Sequence, residues 1–337
     1  MSLLPLPQNA PARTVPQLVE LAAGQGRKPV LTATSAAGVE RTLTGEELPE
    51  AVARAAGWLA GQGVDRGVHV GLHLDNEAGL EALVLHLALQ WLGAVAVPIG
   101  TRSSPREARS IVEHAGIALV VTSGPGLPVA TGAAEGAARL VDASRGLEEL
   151  SRGAPVLSPA RVGEDDLADI LYTSGTTGQP KGAEFTHANC VACGMELVAA
   201  VGIAADDTYQ SAIPYYTSTG AHTNPLLALV AGAHFVVEPR FDQAAALERL
   251  ARHRTTVFFG VPSMLTLMVR SGVLPGAVPP TLEKVVFGGS ATTRAGLLAL
   301  AQAFPHCGLI NLYGQTEGGP GGTVLGPDDT LLQQTMD

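Results

Sequence analysis

Residues 171–182 read LYTSGTTGQPKG. This stretch stands between two apolar segments, 167–170 and 183–186, that have the composition of short strands. Its glycines and proline remove side-chain bulk and permit positive φ angles, while its hydroxyl groups and one lysine supply hydrogen-bond donors. A backbone of that kind can wrap around phosphate oxygens. The stretch therefore predicts a loop between two strands that binds a polyphosphate.

Two other interpretations of this loop follow from its composition. A flexible surface hairpin also uses glycine and serine, for turning alone. A Walker-type phosphate loop needs Gly-Lys followed by Ser or Thr, whereas Lys181 follows Pro180 and precedes Gly182. The spacing argues against a P-loop NTPase or kinase, and the choice between a hairpin and a binding loop depends on the rest of the chain.

The run SGTTGQPKG at 174–182 resembles the phosphate loop of the adenylate-forming superfamily, which comprises acyl-CoA synthetases, peptide-synthetase adenylation domains and luciferases. A second run, YGQTE at 313–317, resembles a later motif of the same superfamily, in the same order. Two specific matches in one chain favour a nucleotide-binding loop over a flexible hairpin. The resemblance extends over nearly all of the chain, but over only about two thirds of such an enzyme.

Composition excludes several classes of protein. The 337 residues are 46% hydrophobic, enough for two globular cores, and 31 acidic against 21 basic residues give a net charge of −10. Such a charge argues against nucleic acid or an anionic membrane as partners. No apolar run reaches the roughly 18–20 residues that span a bilayer, because residues such as His86 and Gln90 interrupt it. Residues 1–13 lack the basic and apolar regions of a signal peptide, so we expect a cytoplasmic protein.

The three cysteines are too few for a disulfide scaffold. Cys190 and Cys193 form a C-x-x-C motif within 188–200, a stretch with helical character. A zinc site would need a second such pair or paired histidines, which the sequence does not provide. We therefore expect ordinary buried helix thiols.

Strands and helices are predicted to alternate, which is typical of parallel sheets covered by helices. The predicted strands are 30–34, 68–74, 94–98, 118–122, 167–170, 183–186, 208–213, 234–238, 255–261, 282–287 and 309–312. The predicted helices are 14–24, 45–62, 76–92, one that opens at Ser104 and Pro105, 188–200, 242–253, 264–270 and 293–304, with a further segment at 224–231. Residues 123–166, rich in Gly, Pro, Ala and Arg, are predicted to be a poorly packed connection in which only 139–141 and 147–150 show structure.

The pattern and the resemblance together imply an α/β fold in which two helix-covered, mostly parallel sheets form a layered αβαβα domain. We expect an irregular N-terminus at 1–13, an AMP-binding N-terminal domain at 14–323, and the start of a truncated continuation at 324–337. Within the domain, one subdomain is expected at 68–205 and the other at 14–67 plus 206–323. Ligands of open α/β sheets bind at the carboxyl ends of strands. The segments 172–182, 288–291 and 313–317 each begin where a predicted strand stops.

The resemblance implies roles for individual residues. Catalytic roles are implied for Lys181, Thr316 and Glu317, and Glu317 is also implied to hold Mg²⁺, a cation that prefers hard oxygen ligands. The residues implied to bind ATP are Thr173, Ser174, Gly175, Thr176, Thr177, Gly178, Lys181, Gly289, Ser290, Ala291, Asn311, Tyr313, Gly314 and Thr316. Those implied to line the acid pocket are Tyr216, Thr217, Gly260, Gly288 and Gly289.

The sequence departs from the superfamily in two places. The segment PYYT at 214–217 has Thr217 where relatives have a histidine that borders the acyl-carboxylate site. The chain also ends at Asp337, before the ribose-binding aspartate, the hinge and the lysine-bearing lid domain that relatives contain. We therefore expect the C-terminal lid domain to be absent and turnover by this piece alone to be impaired.

The leading hypothesis is the N-terminal catalytic domain of an acid:CoA ligase, which uses ATP and Mg²⁺ to form an acyl-adenylate and passes the acyl group to CoA or to a carrier-protein thiol. The walls near 257–261 are mostly apolar, which favours a fatty or aryl acid. Activation of an amino acid is disfavoured because no acidic residue closely follows Pro214 to hold an ammonium group. The alternative is a non-enzymatic or split module that binds ATP or acyl-adenylate and needs a separate C-terminal domain for turnover.

Overall fold

The computed structural model describes residues 10–35, 37–173, 181–271, 278–319 and 321–330. The α-helices in these ranges are α1 (Val15–Ala22), α2 (Glu47–Gly61), α3 (Gly79–Leu92), α4 (Pro105–His114), α5 (Leu127–Ala134), α6 (Leu147–Leu150), α7 (His187–Val201), α8 (Asn224–Ala231), α9 (Gln243–Arg252), α10 (Pro262–Arg270) and α11 (Arg294–Ala303). The strands are β1 (Pro29–Thr34), β2 (Glu40–Thr44), β3 (His69–His73), β4 (Val95–Pro98), β5 (Leu119–Thr122), β6 (Arg139–Asp142), β7 (Leu167–Thr173), β8 (Lys181–Thr186), β9 (Thr208–Ser211), β10 (His234–Val237), β11 (Val257–Gly260), β12 (Lys284–Gly288), β13 (Gly308–Gly314) and β14 (Gly322–Leu325). A π-helical turn spans Thr219–Thr223, and a 3₁₀ turn spans Thr316–Gly318.

The strands form two sheets, which we call the large sheet and the small sheet. In the described ranges the large sheet has the order β14-β13-β12-β11-β9-β10-β1-β2, and the small sheet has the order β6-β5-β3-β4-β7-β8. Neighbouring strands run parallel except at three sheet edges, where β2, β14 and β8 are antiparallel to their partners. The predicted α/β class with two mostly parallel, helix-covered sheets is confirmed.

Helices cover both faces of each sheet. Helix α3 contacts β1 of the large sheet and both β3 and β4 of the small sheet, so it lies between them. Nearly every residue of α3 is buried, as expected for a helix that is apolar on all sides. Helices α4 and α5 pack on the outer face of the small sheet, and α9, α10 and α11 pack on the outer face of the large sheet. None of the helices in the part of the chain that the structure describes is long and apolar enough to cross a membrane.

The central strands of the large sheet contribute to two cores at once. Val257 and Phe259 of β11 belong to the core between the sheets, whereas Phe258 belongs to the outer core under α9, α10 and α11. Successive side chains of a strand point to opposite faces of the sheet, and both faces are covered here. This explains why the central strands appear in the sequence as continuous apolar runs.

The prediction that residues 123–166 are a poorly packed connection fits most of the stretch, whose side chains are largely exposed or half-buried, but it fails for helix α5. Helix α5 lies in this stretch, and its side chains Ala130 and Ala133 are buried against α4 and β5. Further along, a Cβ on Gly153 would lie 2.2 Å from the carbonyl oxygen of Arg54. The small residues of this stretch therefore allow close approach of backbone to backbone.

Glu238 is a buried carboxylate that follows β10. It accepts hydrogen bonds from Gln210 Nε2 and from Arg249 Nη1, the latter at 2.9 Å. Burial raises the pKa of Glu238 from 4.5 to about 7, against the lowering effects of Arg249 and Gln210. Because the folded state holds this proton more tightly than the unfolded state, stability falls as the pH rises through the range between those two values.

We expect Glu238→Gln to remove this pH dependence, because glutamine keeps an oxygen acceptor but cannot ionise. Between about pH 5 and about pH 8, the unsubstituted chain should lose about 3 kcal/mol of its free energy of unfolding that Glu238→Gln does not lose. Urea titrations at the two pH values measure the change. The exposed carboxylate of Glu248, which pairs with Arg252, provides the control variant Glu248→Gln. An unchanged pH dependence in Glu238→Gln would contradict the raised pKa.

Candidate active site

Three neighbouring parallel strands of the large sheet end where the candidate segments begin. β11, β12 and β13 end at Gly260, Gly288 and Gly314, and each pair is in parallel register. The carboxyl ends of parallel strands share one edge of a sheet. Two of the predicted acid-pocket residues, Gly260 and Gly288, therefore lie on the same edge as the predicted nucleotide-binding segments 289–291 and 313–316.

The backbone requires glycine at both positions of the Gly288–Gly289 pair. A Cβ on Gly288 would lie 2.3 Å from the carbonyl oxygen of Leu312 in β13. Gly289 has a φ of 83°, in the left-handed region that favours glycine. The close approach of β12 to β13 therefore depends on the missing side chain, and it leaves Ser290 and Ala291 exposed at the sheet edge.

Gly288→Ala should push β12 and β13 apart at this edge. Overpacking of this kind typically costs about 1–3 kcal/mol, and we expect a loss of that size in the free energy of unfolding, measured with urea. Gly61→Ala in α2 is the control, because outside its own helical turn no atom of the described residues lies within 4 Å of the position that its Cβ would occupy. The control should be neutral or slightly stabilising. Equal stabilities for Gly288→Ala and Gly61→Ala would show that the two strands are not in close contact.

The 3₁₀ turn that follows β13 lies against the hairpin formed by β7 and β8. Thr316 Oγ1 donates a hydrogen bond to Ser218 Oγ at 3.0 Å, and the Cys193 thiol donates to the carbonyl oxygen of Gly319 at 2.7 Å. The turn that carries Glu317 is thus tied both to the segment after β9 and to α7.

The β7–β8 hairpin brings Thr173 and Lys181 opposite each other. Thr173 is partly buried and Lys181 is exposed. The hairpin whose strands flank the glycine-rich loop also contacts the turn that carries Glu317. The loop itself, residues 174–180, lies outside the described residues, so the roles of five of its members stay predictions: Ser174, Gly175, Thr176, Thr177 and Gly178.

The remaining predicted nucleotide residues differ in exposure. The Tyr313 side chain is 69% exposed, whereas Asn311 and Gly314 are partly buried in β13. Glu317 is exposed and forms no hydrogen bond or ion pair with any other residue that the structure describes. Its carboxylate oxygens are therefore open to a hard cation, and the residue type fits a Mg²⁺ ligand.

Tyr216 and Thr217 lie in the turn that follows β9. Thr217 Oγ1 donates to the carbonyl oxygen of Pro214 at 2.8 Å and accepts from the amide of Gly220 at 3.0 Å. The Thr217 hydroxyl therefore holds the backbone at the start of the π-helical turn. Tyr216 reaches the small sheet, because a Cβ on Gly100, which closely follows β4, would lie 3.6 Å from Tyr216 Cδ2.

A buried polar cluster, which the sequence pattern did not reveal, lies between the two sheets. Asp169 Oδ1 accepts hydrogen bonds from His86 Nε2 at 2.7 Å and from Gln90 Nε2 at 2.8 Å. Asp169 Oδ2 accepts from His222 Nδ1 at 2.8 Å and from Cys190 Sγ at 3.6 Å. We call these five buried residues the Asp169 cluster. Burial alone would raise the pKa of Asp169, but the two histidines hold it well below its usual range.

The Asp169 cluster joins four elements of the fold. His86 and Gln90 come from α3, Asp169 from β7, Cys190 from α7 and His222 from the π-helical turn. Single π-helical turns in proteins occur frequently at functional sites. The signal in the sequence is weak: polar residues interrupt the apolar runs of α3 and β7, but nothing local shows that they meet.

Comparisons with known proteins agree on one family. The model of the AMP-binding enzyme family matches residues 18–336. The 3-[(3aS,4S,7aS)-7a-methyl-1,5-dioxo-octahydro-1H-inden-4-yl]propanoyl:CoA ligase of Mycobacterium tuberculosis is 30% identical over 313 residues, covering 87% of this chain and 61% of that protein. The 4-coumarate–CoA ligase-like 3 protein of Oryza sativa subsp. japonica is 31% identical over 333 residues, covering 89% and 55%. The inhibitor-bound crystal structure of the N-terminal domain of FACL13 from Mycobacterium tuberculosis superposes with a TM-score of 0.86 at 24% identity, covering 96% of this chain and 81% of that one.

Proposed function

Because the chain belongs to the family of AMP-binding enzymes, we propose that it activates a carboxylic acid by transferring AMP from ATP to the carboxylate. One observation carries the proposal: the β7–β8 hairpin, whose strands flank the glycine-rich loop, contacts the turn that holds Glu317. A triphosphate bound by the loop would then reach both segments. The chain spans 61% and 55% of the length of the two curated relatives, so the activity of a whole enzyme is part of the proposal.

In the proposed first step, a carboxylate oxygen attacks the α-phosphorus of ATP and pyrophosphate leaves. Both reactants are anions, so catalysis consists mostly of positioning and of charge neutralisation. Lys181 would contribute one positive charge at the hairpin, and Thr316 would contact the α-phosphate. Mg²⁺ would neutralise the phosphates, with Glu317 as its ligand from this chain.

In the proposed second step, a thiol attacks the acyl-adenylate, AMP leaves, and a thioester forms. CoA is the favoured acceptor because the relatives with sequence similarity are named CoA ligases. A hydrophobic acid is favoured because the names of these relatives specify a fused-ring propanoyl group and 4-coumarate. The Thr217 hydroxyl is engaged by the backbone, so the acid carboxylate would depend on other groups for its orientation.

Pyrophosphate release with a panel of fatty, aryl and amino acids tests the proposal. We expect acid-dependent release with a fatty or aryl acid and none with an amino acid. The assay is run with the chain alone and with the C-terminal domain of a homologous ligase added as a separate polypeptide. Release only after this addition supports a split ligase.

A binding measurement distinguishes a chain that binds the acyl-adenylate without catalysis from a chain that does not bind it at all. A non-hydrolysable acyl-adenylate analogue should raise the melting temperature of the chain in a thermal-shift titration. Stabilisation without pyrophosphate release under any condition supports a binding module. If the analogue does not stabilise the chain and no pyrophosphate is released, the proposed function is wrong.

A further inference from the structure

Three members of the Asp169 cluster bring groups that bind transition metals close together. A carboxylate (Asp169), a thiol (Cys190) and an imidazole (His222) each offer one ligand atom, and these atoms all lie within 4.8 Å of one another. All three residues are buried, and they come from β7, α7 and the π-helical turn. We propose that Asp169, Cys190 and His222 bind one zinc ion that cross-links these elements between the two sheets. This site is independent of the proposed function.

The spacing of the three ligand atoms is close to that of a tetrahedral zinc site. Asp169 Oδ2 lies 2.8 Å from His222 Nδ1 and 3.6 Å from Cys190 Sγ, and Cys190 Sγ lies 3.9 Å from His222 Nδ1. Tetrahedral zinc with ordinary bond lengths places O, N and S ligand atoms about 3.3–3.6 Å apart. The three edges thus need to change by only about half an ångström or less. Mixed oxygen, nitrogen and sulfur donors also favour Zn²⁺ over Mg²⁺ or Ca²⁺.

Charge and protons balance in this site. The Asp169 carboxylate and a Cys190 thiolate supply two negative charges, which match those of a divalent cation in a buried place. Binding releases the thiol proton of Cys190 to solvent and forms the metal–sulfur bond. His222 keeps one N–H but carries it on Nε2 instead of Nδ1, because Nδ1 becomes a metal ligand.

The shift of the His222 proton also changes what the ring presents to a small cavity beside it. With its proton on Nδ1, His222 presents a bare, buried Nε2 that has no hydrogen-bond partner among the residues that the structure describes, and the same holds for Gln90 Oε1. Two unpartnered acceptors cannot bond each other. Both residues line one small cavity of about 10 Å³, room for about one water molecule. With a metal on Nδ1, the Nε2–H becomes a donor, and a water molecule in the cavity can accept from it and donate to Gln90 Oε1.

The outer contacts hold the carboxylate in the orientation that a metal needs. His86 Nε2 and Gln90 Nε2 both donate to Asp169 Oδ1, so Oδ2 is the oxygen that faces Cys190 and His222. The other nitrogen of His86, Nδ1, lies 2.9 Å from the hydroxyl of Tyr215. Hydrogen bonds of this kind to a ligating carboxylate are typical of zinc sites in proteins.

Metal content and cobalt spectroscopy test the site in the full chain. The protein is stripped with a chelator and then titrated with Zn²⁺ or with Co²⁺, which gives a thiolate-to-metal charge-transfer band when sulfur is a ligand. We expect one equivalent to bind, a rise of several degrees in melting temperature with Zn²⁺, and the band with Co²⁺. Cys190→Ser should lose the band, whereas Cys193→Ser, altered on the same helix, should keep it.

A second variant tests the site if the first one does not fold. If Cys190→Ser does not fold, His222→Gln should still fold and should bind Zn²⁺ at least tenfold more weakly than the unsubstituted chain. Even the loss of a group that only hydrogen-bonds to a metal ligand typically costs about 10–100-fold in affinity. Absence of bound metal together with an unchanged melting temperature overturns the proposal. So does a charge-transfer band that survives in Cys190→Ser or is lost in Cys193→Ser.

Discussion

Asp169→Asn should lower the free energy of unfolding of the metal-free chain by about 3–5 kcal/mol. The Asp169 carboxylate accepts hydrogen bonds from His86, Gln90, His222 and Cys190, two donors on each oxygen. An asparagine of the same size presents an NH₂ group on one side, which faces donors there. Each buried polar group left unpaired costs about 1–3 kcal/mol.

Urea denaturation in the presence of a chelator measures this loss without any contribution from bound metal. Asp165→Asn is the matched control, because Asp165 lies just before β7 on the same stretch and is exposed. A surface substitution of this kind usually changes stability by less than about 0.5 kcal/mol. If Asp169→Asn were as stable as Asp165→Asn, the hydrogen bonds assigned to the cluster would be wrong.

The local sequence predicts those elements of the fold that leave a strong signal in it, such as an apolar run or a capping residue. The central strands were predictable because they are buried on both faces, as the apolar run around Phe258 shows. The helix start at Ser104 was predictable because its side chain and that of Glu107 form a capping box. The position of YGQTE at the end of a strand also followed from the apolar segment before it.

The elements that were not predicted leave only a weak signal in the local sequence. β2 and β14 are edge strands with one neighbour each, and they are largely exposed, so neither has a clear apolar pattern. α5 consists mainly of small residues, and its helical state depends on the close contact with α4 that those residues permit.

In the candidate site, too, the contiguous motifs were predictable from the sequence, whereas the contacts between distant residues were not. The resemblance of 174–182 and 313–317 to a known family indicated which residues to consider, because each motif is a short contiguous run. The Thr316–Ser218 and Cys193–Gly319 contacts join residues that are far apart in the chain. The Asp169 cluster is assembled from four such separate elements, so no spacing rule in a single sequence could have revealed it.

Glu317→Gln should slow acyl-adenylate formation by about 10²–10³-fold, the usual effect of removing one preorganised electrostatic group. The Glu317 carboxylate is exposed and unpaired among the residues that the structure describes, and its turn is held beside the β7–β8 hairpin. Glutamine keeps the size and one oxygen but loses the charge that would bind Mg²⁺. Because the side chain is exposed, stability should change by less than about 0.5 kcal/mol, so the loss of rate would not reflect unfolding.

Acid-dependent exchange of pyrophosphate into ATP, measured over a range of Mg²⁺ concentrations, gives the rate. Glu184→Gln is the matched control, because Glu184 is an exposed carboxylate on β8 of the adjoining hairpin and lies outside the YGQTE run. It should keep the rate of the unsubstituted chain. If the chain alone shows no exchange, calorimetry of ATP binding makes the same comparison: Mg²⁺ should strengthen binding to the unsubstituted chain and to Glu184→Gln, but not to Glu317→Gln. An equal effect of Mg²⁺ on all three proteins would show that Glu317 does not hold the metal.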